Sequence, residues 1–421
     1  VRPVNKWRSL ISLNKVAVSS SYDVAVVGGG IIGLSSALHI SQRFPKINIA
    51  ILEKEDALAS HQTGHNSGVI HSGIYYRPGS HKAQFCVAGV EAFKKYCRNK
   101  GISYEECGKV IVATDSSELP RLDELYQRGV ANGVPELELI GPERLKEIEP
   151  HAVGIKALYA PTTAIVDFTE VALHYAQDFQ NNGGQILTGH KVTGIGRSND
   201  DMVLETNRSP VVAKYLINCA GLYADKIARM SGIPADVRIL PFRGEYYVLR
   251  PESRHLVKGL IYPVPDPKFP FLGVHYTKRV NGEIEAGPNA VLAWAREGYK
   301  KSDINPTEAL EDFMFPGFWR MLRRNWRMGL SEIHRSLVKS VFVKDLQKLI
   351  PTIQSKDIVR GGSGVRAQAL NRQGGLLDDF SIREVAGAVH VLNAPSPGAT
   401  SSLSIGAYIS DLASRSFNLT G

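Results

Sequence analysis

The sequence predicts an α/β fold, in which a discontinuous Rossmann-type nucleotide-binding domain is combined with a mainly antiparallel β-sheet domain and a helical insertion. Three observations predict this fold. A strand, a glycine turn, a helix and a second strand follow one another over residues 22–53. Residues 238–287 contain short β-forming runs punctuated by proline and glycine, and residues 306–350 have a helical pattern.

The glycine turn has the spacing G-x-G-x-x-G, formed by Gly28, Gly30 and Gly33. Gly28 makes the tight turn, Gly30 lets the backbone approach a pyrophosphate, and Gly33 lets the helix pack closely on the sheet. The second strand ends at Glu53, which is placed to accept hydrogen bonds from a ribose 2′-hydroxyl. A carboxylate there would repel a 2′-phosphate, which argues against NADP. The motif alone leaves FAD and NAD open.

The composition is that of a large folded protein. The chain has 421 residues, of which 43% are hydrophobic and 22% charged, so it is long enough for about two domains. Its net charge of +9 suits an anionic substrate, membrane or nucleic acid without choosing between them. The four cysteines lack C-x-x-C spacing, so we expect reduced thiols and neither a disulfide framework nor a metal site.

Residues 1–20 form an N-terminal basic segment, which we interpret as the remnant of a mitochondrial targeting sequence. The segment has no acidic residue, several serines and four basic residues, Arg2, Lys6, Arg8 and Lys15. This composition is typical of transit peptides. An incidental basic tail is the alternative.

Six further stretches carry glycine-, proline- or histidine-containing motifs. They are HQTGHNSGVIHSG (61–73), PFRGEY (241–246), PFLGVH (270–275), GPNAVLA (287–293), GVRAQA (364–369) and NAPSPGATSS (393–402). With these motifs in order, residues 22–412 resemble the D-amino-acid-oxidase-like family of flavoproteins. That family includes glycine oxidase, sarcosine oxidase and glycerol-3-phosphate dehydrogenase.

The resemblance implies that the cofactor is FAD, and no histidine or cysteine is placed for a covalent link to it. It also implies a discontinuous FAD-binding domain with a substrate domain between its segments. We assign residues 21–107, 152–236 and 346–421 to the FAD-binding domain, and residues 108–151 and 237–345 to the substrate domain.

Within the family, the resemblance is strongest to dehydrogenases of 2-hydroxy acids. It implies transfer of a hydride from the C2 atom of a small 2-hydroxy acid to flavin N5, with the electrons passed to a membrane quinone or another non-oxygen acceptor. An amine or amino-acid oxidase of the same fold is one alternative. A flavoprotein that binds RNA is another, although the chain has no RNA-binding motif, and we expect no nucleic-acid partner.

Three residues are candidates for the chemistry. Arg366 lies in a Gly-x-Arg motif, and its planar guanidinium suits a substrate carboxylate. A histidine is the expected base, because its ordinary pKa lies near working pH. His275 and His71 are the two candidates, and the sequence does not decide which of them is the base.

A second substrate carboxylate would need a second polar or cationic pocket. Arg243 is the first candidate, and the others are Tyr76, Tyr262, Asn289 and Arg296. Each of these could equally have a structural role. For FAD, the glycine motif and the resemblance together give a set of candidate residues: Gly28, Gly30, Gly33, Glu53, Lys54, Thr63, Asn66, Ser67, Val192, Gly221, Gly398, Ala399, Thr400 and Ser401.

Residues 315–328 form an amphipathic stretch of unusual composition. On a helix, Arg320, Arg323, Arg324 and Arg327 share one face, and Phe318, Trp319, Leu322 and Trp326 share another. This pattern suits a helix lying on an anionic membrane surface, and we expect a dehydrogenase bound to the inner mitochondrial membrane. A helix packed on the protein with solvated arginines is the alternative.

Overall fold

The chain folds around two large β-sheets. The computed structural model describes residues 21–234, 236–266 and 272–419. The N-terminal basic segment lies outside these residues, as do the first two residues of the 270–275 motif, so the targeting interpretation stays a prediction.

The described part of the chain contains 20 strands. In chain order they are β1 (Ser21–Val27), β2 (Ile49–Leu52), β3 (Val69–Ile70), β4 (Tyr104–Glu105), β5 (Lys109–Ala113), β6 (Glu138–Ile140), β7 (Lys156–Ala160), β8 (Ala164–Val166), β9 (Gln185–Leu187), β10 (Val192–Ser198), β11 (Asp201–Thr206), β12 (Val211–Asn218), β13 (Val237–Leu249), β14 (Leu260–Pro263), β15 (His275–Lys278), β16 (Ile284–Gly287), β17 (Val291–Leu292), β18 (Ile358–Asn371), β19 (Ser381–Val385) and β20 (Ala388–Asn393).

The same residues contain ten α-helices. They are α1 (Ile31–Arg43), α2 (His81–Lys100), α3 (Leu119–Ala131), α4 (Pro142–Ile148), α5 (Phe168–Asn181), α6 (Ala224–Met230), α7 (Pro306–Phe313), α8 (Pro316–Leu337), α9 (Lys339–Gln347) and α10 (Ser402–Ser416). Short 3₁₀ helices occur at Ser116–Glu118, Gly221–Tyr223, Pro251–Leu256 and Ser355–Asp357.

The first sheet has a parallel centre, in the order β20–β12–β1–β2–β9, extended by the antiparallel strands β10, β11 and β19. Strand β1 is buried on both faces. Val24 and Val26 belong to the core beneath α1, α5 and α10, whereas Ala25 and Val27 belong to the core on the opposite face. Successive side chains of a strand point to opposite faces, so the apolar run predicted a central parallel strand correctly.

The second sheet has nine strands, in the order β17–β13–β16–β15–β14–β5–β7–β6, with β18 paired along β13. All its pairs are antiparallel except β5 with β14. Helices α7, α8 and α9 are inserted between β17 and β18. A small third sheet has the order β3–β8–β4. The predicted α/β class with an antiparallel sheet and a helical insertion is confirmed.

The predicted domain boundaries are not decided by this architecture and stay a prediction. The first sheet takes all its strands from the three segments assigned to the FAD-binding domain. Two strands from those segments, β7 and β18, nevertheless belong to the nine-stranded sheet. The long pairing of β18 with β13 therefore joins the third assigned segment to the second sheet.

Local sequence signals, such as capping residues and glycines, mark the ends of several helices. Asp167 caps α5 by accepting a hydrogen bond from the backbone of Thr169, and α2 ends at Gly101, which has a φ of +68°. Residues 54–60, which follow β2, form bends and turns rather than a helix. Their backbone groups bond to other segments instead, with Ala59 donating to Gly29 O at 3.1 Å and Glu55 O accepting from Gly189 at 2.7 Å.

Candidate active site

A cavity of about 1660 Å³ lies at the carboxyl ends of the parallel strands β20, β12, β1 and β2 and extends to the nine-stranded sheet. Ligands of α/β folds bind at this edge of the sheet. The cavity is larger than the roughly 300–1,000 Å³ typical of a small-molecule pocket, so it has room for a dinucleotide and a second ligand. It contains most of the predicted site residues: Gly28, Gly30, Glu53, Lys54, Thr63, Asn66, Ser67, His71, Tyr76, Val192, Gly221, Tyr262, His275, Arg366, Gly398, Ala399 and Thr400.

The glycine turn after β1 has the shape that a pyrophosphate requires. Gly28 has a φ of +114°, and a Cβ atom there would lie 2.4 Å from Cys219 O. A Cβ atom on Gly33 would lie 2.1 Å from Gly28 O, so this glycine does not line the cavity but lets α1 approach the turn. Helix α1 begins after Gly30 without a side-chain cap and without an acidic residue in its first turn, which suits a phosphate.

Glu53 lies at the predicted ribose end and is held by the backbone. Its carboxylate accepts hydrogen bonds from the N–H groups of Gly29 at 2.7 Å and Glu55 at 2.9 Å. The adjacent Lys54 is bonded to Glu297 at 2.6 Å and also to Glu55. Glu55, His61 and Glu297 lie close enough together to hold a metal ion, but the ammonium group of Lys54 bonds to all three.

The loop after Glu53 is fixed against the same turn. Thr63 Oγ1 accepts the N–H of Ile31 at 3.0 Å, and Asn66 Oδ1 accepts the N–H of Gly68 at 2.8 Å. Asn66 Nδ2 donates to Thr63 O at 2.6 Å. The polar residues predicted to bind the cofactor therefore stabilise the conformation of this loop and also line the cavity.

The C-terminal loop is the second place where an anion could meet a helix N-terminus. Gly398, Ala399 and Thr400 line the cavity, whereas Ser401 is buried and does not. Helix α10 then begins without a side-chain cap and without an acidic residue in its first turn. Thr400 Oγ1 accepts the N–H of His71 at 3.1 Å, so this loop and the histidine are directly joined.

His275 begins β15 and is buried, with its ring stacked on Tyr262 at a centroid distance of 3.9 Å. Its Nδ1 lies 2.7 Å from Gly273 O, and since a carbonyl oxygen only accepts, Nδ1 carries the hydrogen. Nε2 is then the proton acceptor. Burial of the ring, with the positive charges of Arg366 and Lys109 adding to it, lowers the pKa of His275 to about 3.

His71 lies at the same end of the cavity. Its Nδ1 is buried without a hydrogen-bond partner among the described residues. Burial, together with the charges of Lys109, His275 and Arg366, lowers its pKa to about 3. Both candidate histidines are therefore neutral near pH 7.

Arg366 lies on β18 directly opposite Phe242 of β13, and its guanidinium hydrogen-bonds the hydroxyl group of Tyr246. Tyr262 and Tyr76 also line this part of the cavity, and the hydroxyl group of Tyr76 is hydrogen-bonded to Ser396. The structure thus brings together Arg366, both histidines and two of the predicted tyrosines.

Three predicted substrate ligands do not reach the cavity, and their assignment is corrected. Arg243 donates to Lys300 O at 3.1 Å and to Glu245 at 3.2 Å. Asn289 Oδ1 accepts the backbone N–H of Glu245 at 2.7 Å. Arg296 is fully buried and donates from Nη2 to Asp225 Oδ2 at 2.9 Å. Each of them stabilises the fold around the site.

Lys109, the first residue of β5, was not among the predicted site residues. It is 1% exposed and lies behind the tyrosines of the cavity wall. The available signal was a lysine in an otherwise wholly apolar strand, Lys-Val-Ile-Val-Ala.

The comparisons with known proteins define the class to which this site belongs. The model of the family described as FAD dependent oxidoreductase matches residues 23–412. The chain belongs to this family of FAD-dependent oxidoreductases. Its fold is similar to that of the dithionite-reduced L-alpha-glycerophosphate oxidase from Mycoplasma pneumoniae with FAD bound, with a TM-score of 0.77, 23% identity, and 95% and 96% of the two chains covered.

Closer relatives are L-2-hydroxyglutarate dehydrogenases. The one from Indibacter alkaliphilus is 50% identical over 94% of this chain and 100% of its own length. The mitochondrial one from Homo sapiens is 48% identical over 98% and 93%, and the one from Escherichia coli 44% identical over 92% of each. The predicted resemblance, the FAD cofactor and the dehydrogenase interpretation are confirmed in preference to an amine or amino-acid oxidase.

Proposed function

We propose that this enzyme oxidises L-2-hydroxyglutarate to 2-oxoglutarate. The observation that carries the proposal is the sequence identity of 44–50%, over nearly the whole chain, to relatives named L-2-hydroxyglutarate dehydrogenase. FAD, when bound, would supply its flavin N5 atom as the acceptor of the hydride that leaves C2 of the substrate. The protein supplies an anchor for the carboxylate, a base for the hydroxyl proton and a site closed to water.

The cofactor would lie along the cavity with its adenosine end near Glu53 and Val192. Its pyrophosphate would meet the turn at Gly28 and Gly30, where the N-terminus of α1 favours negative charge. The flavin end would face the 398–400 loop and the nine-stranded sheet. The fit rests on the close backbone approaches at the glycines and on two helix N-termini that face one cavity and have no acidic residue in their first turn.

Arg366 would bind the C1 carboxylate, and His275 would take the hydroxyl proton. The guanidinium offers two parallel N–H groups to a carboxylate. Nε2 of His275 is the free acceptor, since the bond from Nδ1 to Gly273 O fixes the tautomer and the orientation of the ring. His71 faces the same region and would position the substrate or the flavin.

Anaerobic bleaching of the flavin tests the activity. The holoenzyme is mixed without oxygen with L- and D-2-hydroxyglutarate, L-lactate, L-glutamate and L-proline, and the flavin absorbance is followed. We expect rapid bleaching by L-2-hydroxyglutarate and slow or no bleaching by the others. Fast bleaching by an amino acid, with none by L-2-hydroxyglutarate, would overturn the proposal.

We further propose that α8 binds the enzyme to an anionic membrane, where electrons pass to a quinone or another non-oxygen acceptor. Six exposed apolar side chains are spaced three or four residues apart along this helix and form one stripe: Trp319, Leu322, Trp326, Leu330, Ile333 and Leu337. They are between 40% and 66% exposed. Phe318 was predicted to share this apolar face, but it is buried beside Phe315 and Met321.

The stripe is separate from the face of α8 that packs on the protein. Successive residues of an α-helix are about 100° apart around its axis. On this basis one side of the stripe is bordered by the arginines at 320, 323, 324 and 327, and the buried residues, such as Phe318 and Met321, lie beyond its other side. An apolar stripe bordered by cations matches a lipid interface. No helix within the described ranges is long and apolar enough to cross a bilayer, so contact through α8 would be at the surface.

Flotation with anionic vesicles tests this surface. A Trp319→Gln/Trp326→Gln/Leu330→Gln variant should stay with the protein fraction, whereas wild type should float. Leu173→Gln, at a residue 49% exposed on α5, is the matched control and should float. Flotation of the triple variant like wild type would exclude membrane binding by α8, and a concentration-dependent dimer lost in the triple variant would identify a second copy as the occupant.

We also propose a mitochondrial location. The named mitochondrial relatives and the basic residues 1–20 support it, although a close bacterial relative exists. A fusion of residues 1–20 to a fluorescent protein should enter mitochondria, and replacement of its four basic residues by glutamine should abolish import. A diffuse distribution of the unaltered fusion would contradict the proposal.

A further inference from the structure

Lys109 is a buried cation without an anionic partner. Its side chain is among the most completely buried in the described structure, and no ion pair or hydrogen bond to its ammonium group occurs within the residues described. Another buried lysine, Lys94, has the usual solution, with Nζ 2.9 Å from Glu106 and 2.8 Å from Thr162 O. A buried charge that is not compensated is strongly unfavourable, so the exception at Lys109 needs a reason.

The surroundings of Lys109 connect it to the active site. Its Nζ lies 4.7 Å from the ring centroid of Tyr75 and 5.2 Å from that of Tyr262. Both rings line the cavity, and the ring of Tyr262 is also stacked on that of His275. Ring faces are favourable partners for a cation, but they carry no net charge. The positive charge therefore lies just behind the cavity wall and remains uncompensated.

The strand order keeps the ammonium group in place. Strand β5 is an interior strand, with Lys109 opposite Leu260 on one side and opposite Ala160 on the other. The hydroxyl group of Tyr75 is buried without a partner among the described residues. A cation without an anionic partner and a hydroxyl group without a hydrogen-bond partner among the described residues thus occupy the same part of the wall.

We propose that Lys109 supplies the second positive charge for a dicarboxylate substrate, acting through the wall formed by Tyr75 and Tyr262 as a positioning residue. The inference rests on the proposed function, since L-2-hydroxyglutarate carries two carboxylates. Arg366 binds the C1 carboxylate, and the field of Lys109 favours the C5 carboxylate across the tyrosine rings. Lys109 therefore selects dicarboxylic over monocarboxylic 2-hydroxy acids.

Apart from Arg366, the other described cations that line the cavity are either exposed to solvent, as Arg77 and Lys191 are, or already paired. Arg128 bonds to Glu124 and to Tyr75 O, and Arg121 bonds to the same glutamate. Arg243 and Arg296 are held by the contacts described above. Burial lowers the pKa of Lys109 to about 8, so a dianion placed beside it would favour the protonated form. Charge attraction across the low-dielectric interior of a protein is much stronger than in bulk solvent.

The test compares two matched pairs of ligands on the holoenzyme. Glutarate and pentanoate have the same chain length and differ by one carboxylate, and their binding is measured from the change in flavin absorbance. In Lys109→Met, binding of glutarate should weaken by at least about tenfold, and binding of pentanoate should stay within about threefold of wild type. Lys94→Met is the control for loss of a buried lysine and should bind both ligands like wild type.

Turnover provides the second readout. The ratio of kcat/KM for L-2-hydroxyglutarate to that for L-2-hydroxypentanoate should fall by at least about tenfold in Lys109→Met. An unchanged ratio and unchanged glutarate binding would overturn the inference, and equal losses for both ligands would show a merely structural role. If wild type does not oxidise L-2-hydroxyglutarate at all, the proposed function fails, and glutarate binding alone decides the role of Lys109.

Discussion

The neutral state of His275 makes the stability of the enzyme sensitive to acid. Burial, Arg366 and Lys109 lower the pKa of this histidine to about 3 in the folded protein. An unfolded histidine has a pKa of about 6.5. Between these values the unfolded chain binds a proton that the folded chain does not bind, so the free energy of unfolding decreases as the pH falls. His71, with a folded pKa of about 3, acts in the same direction.

The size of the effect follows from the two pKa values. Each pH unit below about 6.5 costs roughly 1.4 kcal/mol per histidine, so pH 4.5 costs about 2.7 kcal/mol for His275 relative to pH 7.5. With the average unfolding entropy per residue of globular proteins, a chain of 421 residues has a total unfolding entropy of about 0.9 kcal/mol per kelvin. The expected contribution of His275 is therefore a lowering of Tm by about 3 °C between pH 7.5 and pH 4.5.

The assay compares the pH dependence of Tm in wild type and in His275→Asn, each saturated with FAD. The loss of ring stacking on Tyr262 lowers Tm at both pH values and cancels in the difference. The variant should lose about 3 °C less than wild type on acidification. His255→Asn, which removes an exposed imidazole, controls for general effects. Equal losses in wild type and His275→Asn would refute the assignment of a buried neutral histidine.

Three further predictions concern residues of the site and its frame. His275→Ala should lower the rate of anaerobic flavin reduction by at least about 100-fold, as expected for loss of a general base, while the flavin spectrum shows that FAD is retained; near-wild-type reduction would remove His275 from the mechanism. Gly33→Ala should lose FAD on gel filtration, because its Cβ would lie 2.1 Å from Gly28 O, whereas Gly196→Ala, which meets no atom within 4 Å, should retain it. Arg296→Met should destabilise the fold by roughly 3 kcal/mol, because the buried Asp225 loses its nearest cation and keeps only Arg229 at 3.8 Å and Arg238 at 3.9 Å. Denaturant unfolding measures this loss, and a selective increase in KM without loss of stability would restore Arg296 as a substrate ligand.

The nucleotide-binding part of the fold could be predicted because its signals are local. The glycine turn, the apolar strands and Glu53 lie within about thirty consecutive residues of sequence, and each position has one physical requirement. The positions of His71 and His275 came instead from the resemblance to a family. No pattern of spacing indicates that residues so far apart in sequence share a cavity, because that depends on how β15 pairs within the second sheet.

The sequence around Arg243 contains a signal against its role as a substrate ligand. Arg366 lies opposite Phe242, so Arg243 is one residue out of register with it and its side chain leaves the opposite face of the strand. Glu245 lies two residues further on that same face and accepts a hydrogen bond from Arg243 at 3.2 Å. An Arg-x-Glu pair in a strand therefore indicates an ion pair formed within its own face. Arg296 offers no such signal, since its partner Asp225 is distant in sequence.

The same charges that help to make His275 a weak base explain how it becomes a stronger base when a dicarboxylate binds. Arg366 and Lys109 add to burial in lowering its pKa. A bound dicarboxylate places two negative charges beside these two cations and removes that electrostatic contribution. A monocarboxylate compensates only one cation and leaves the other opposing protonation of Nε2. The cations thus couple recognition to chemistry, because the pKa of His275 is higher when the ligand carries both carboxylates than when it carries only one. Lys109→Met should for this reason affect the oxidation of a monocarboxylic 2-hydroxy acid little or even accelerate it, while it lowers kcat/KM for L-2-hydroxyglutarate because this dicarboxylate binds more weakly.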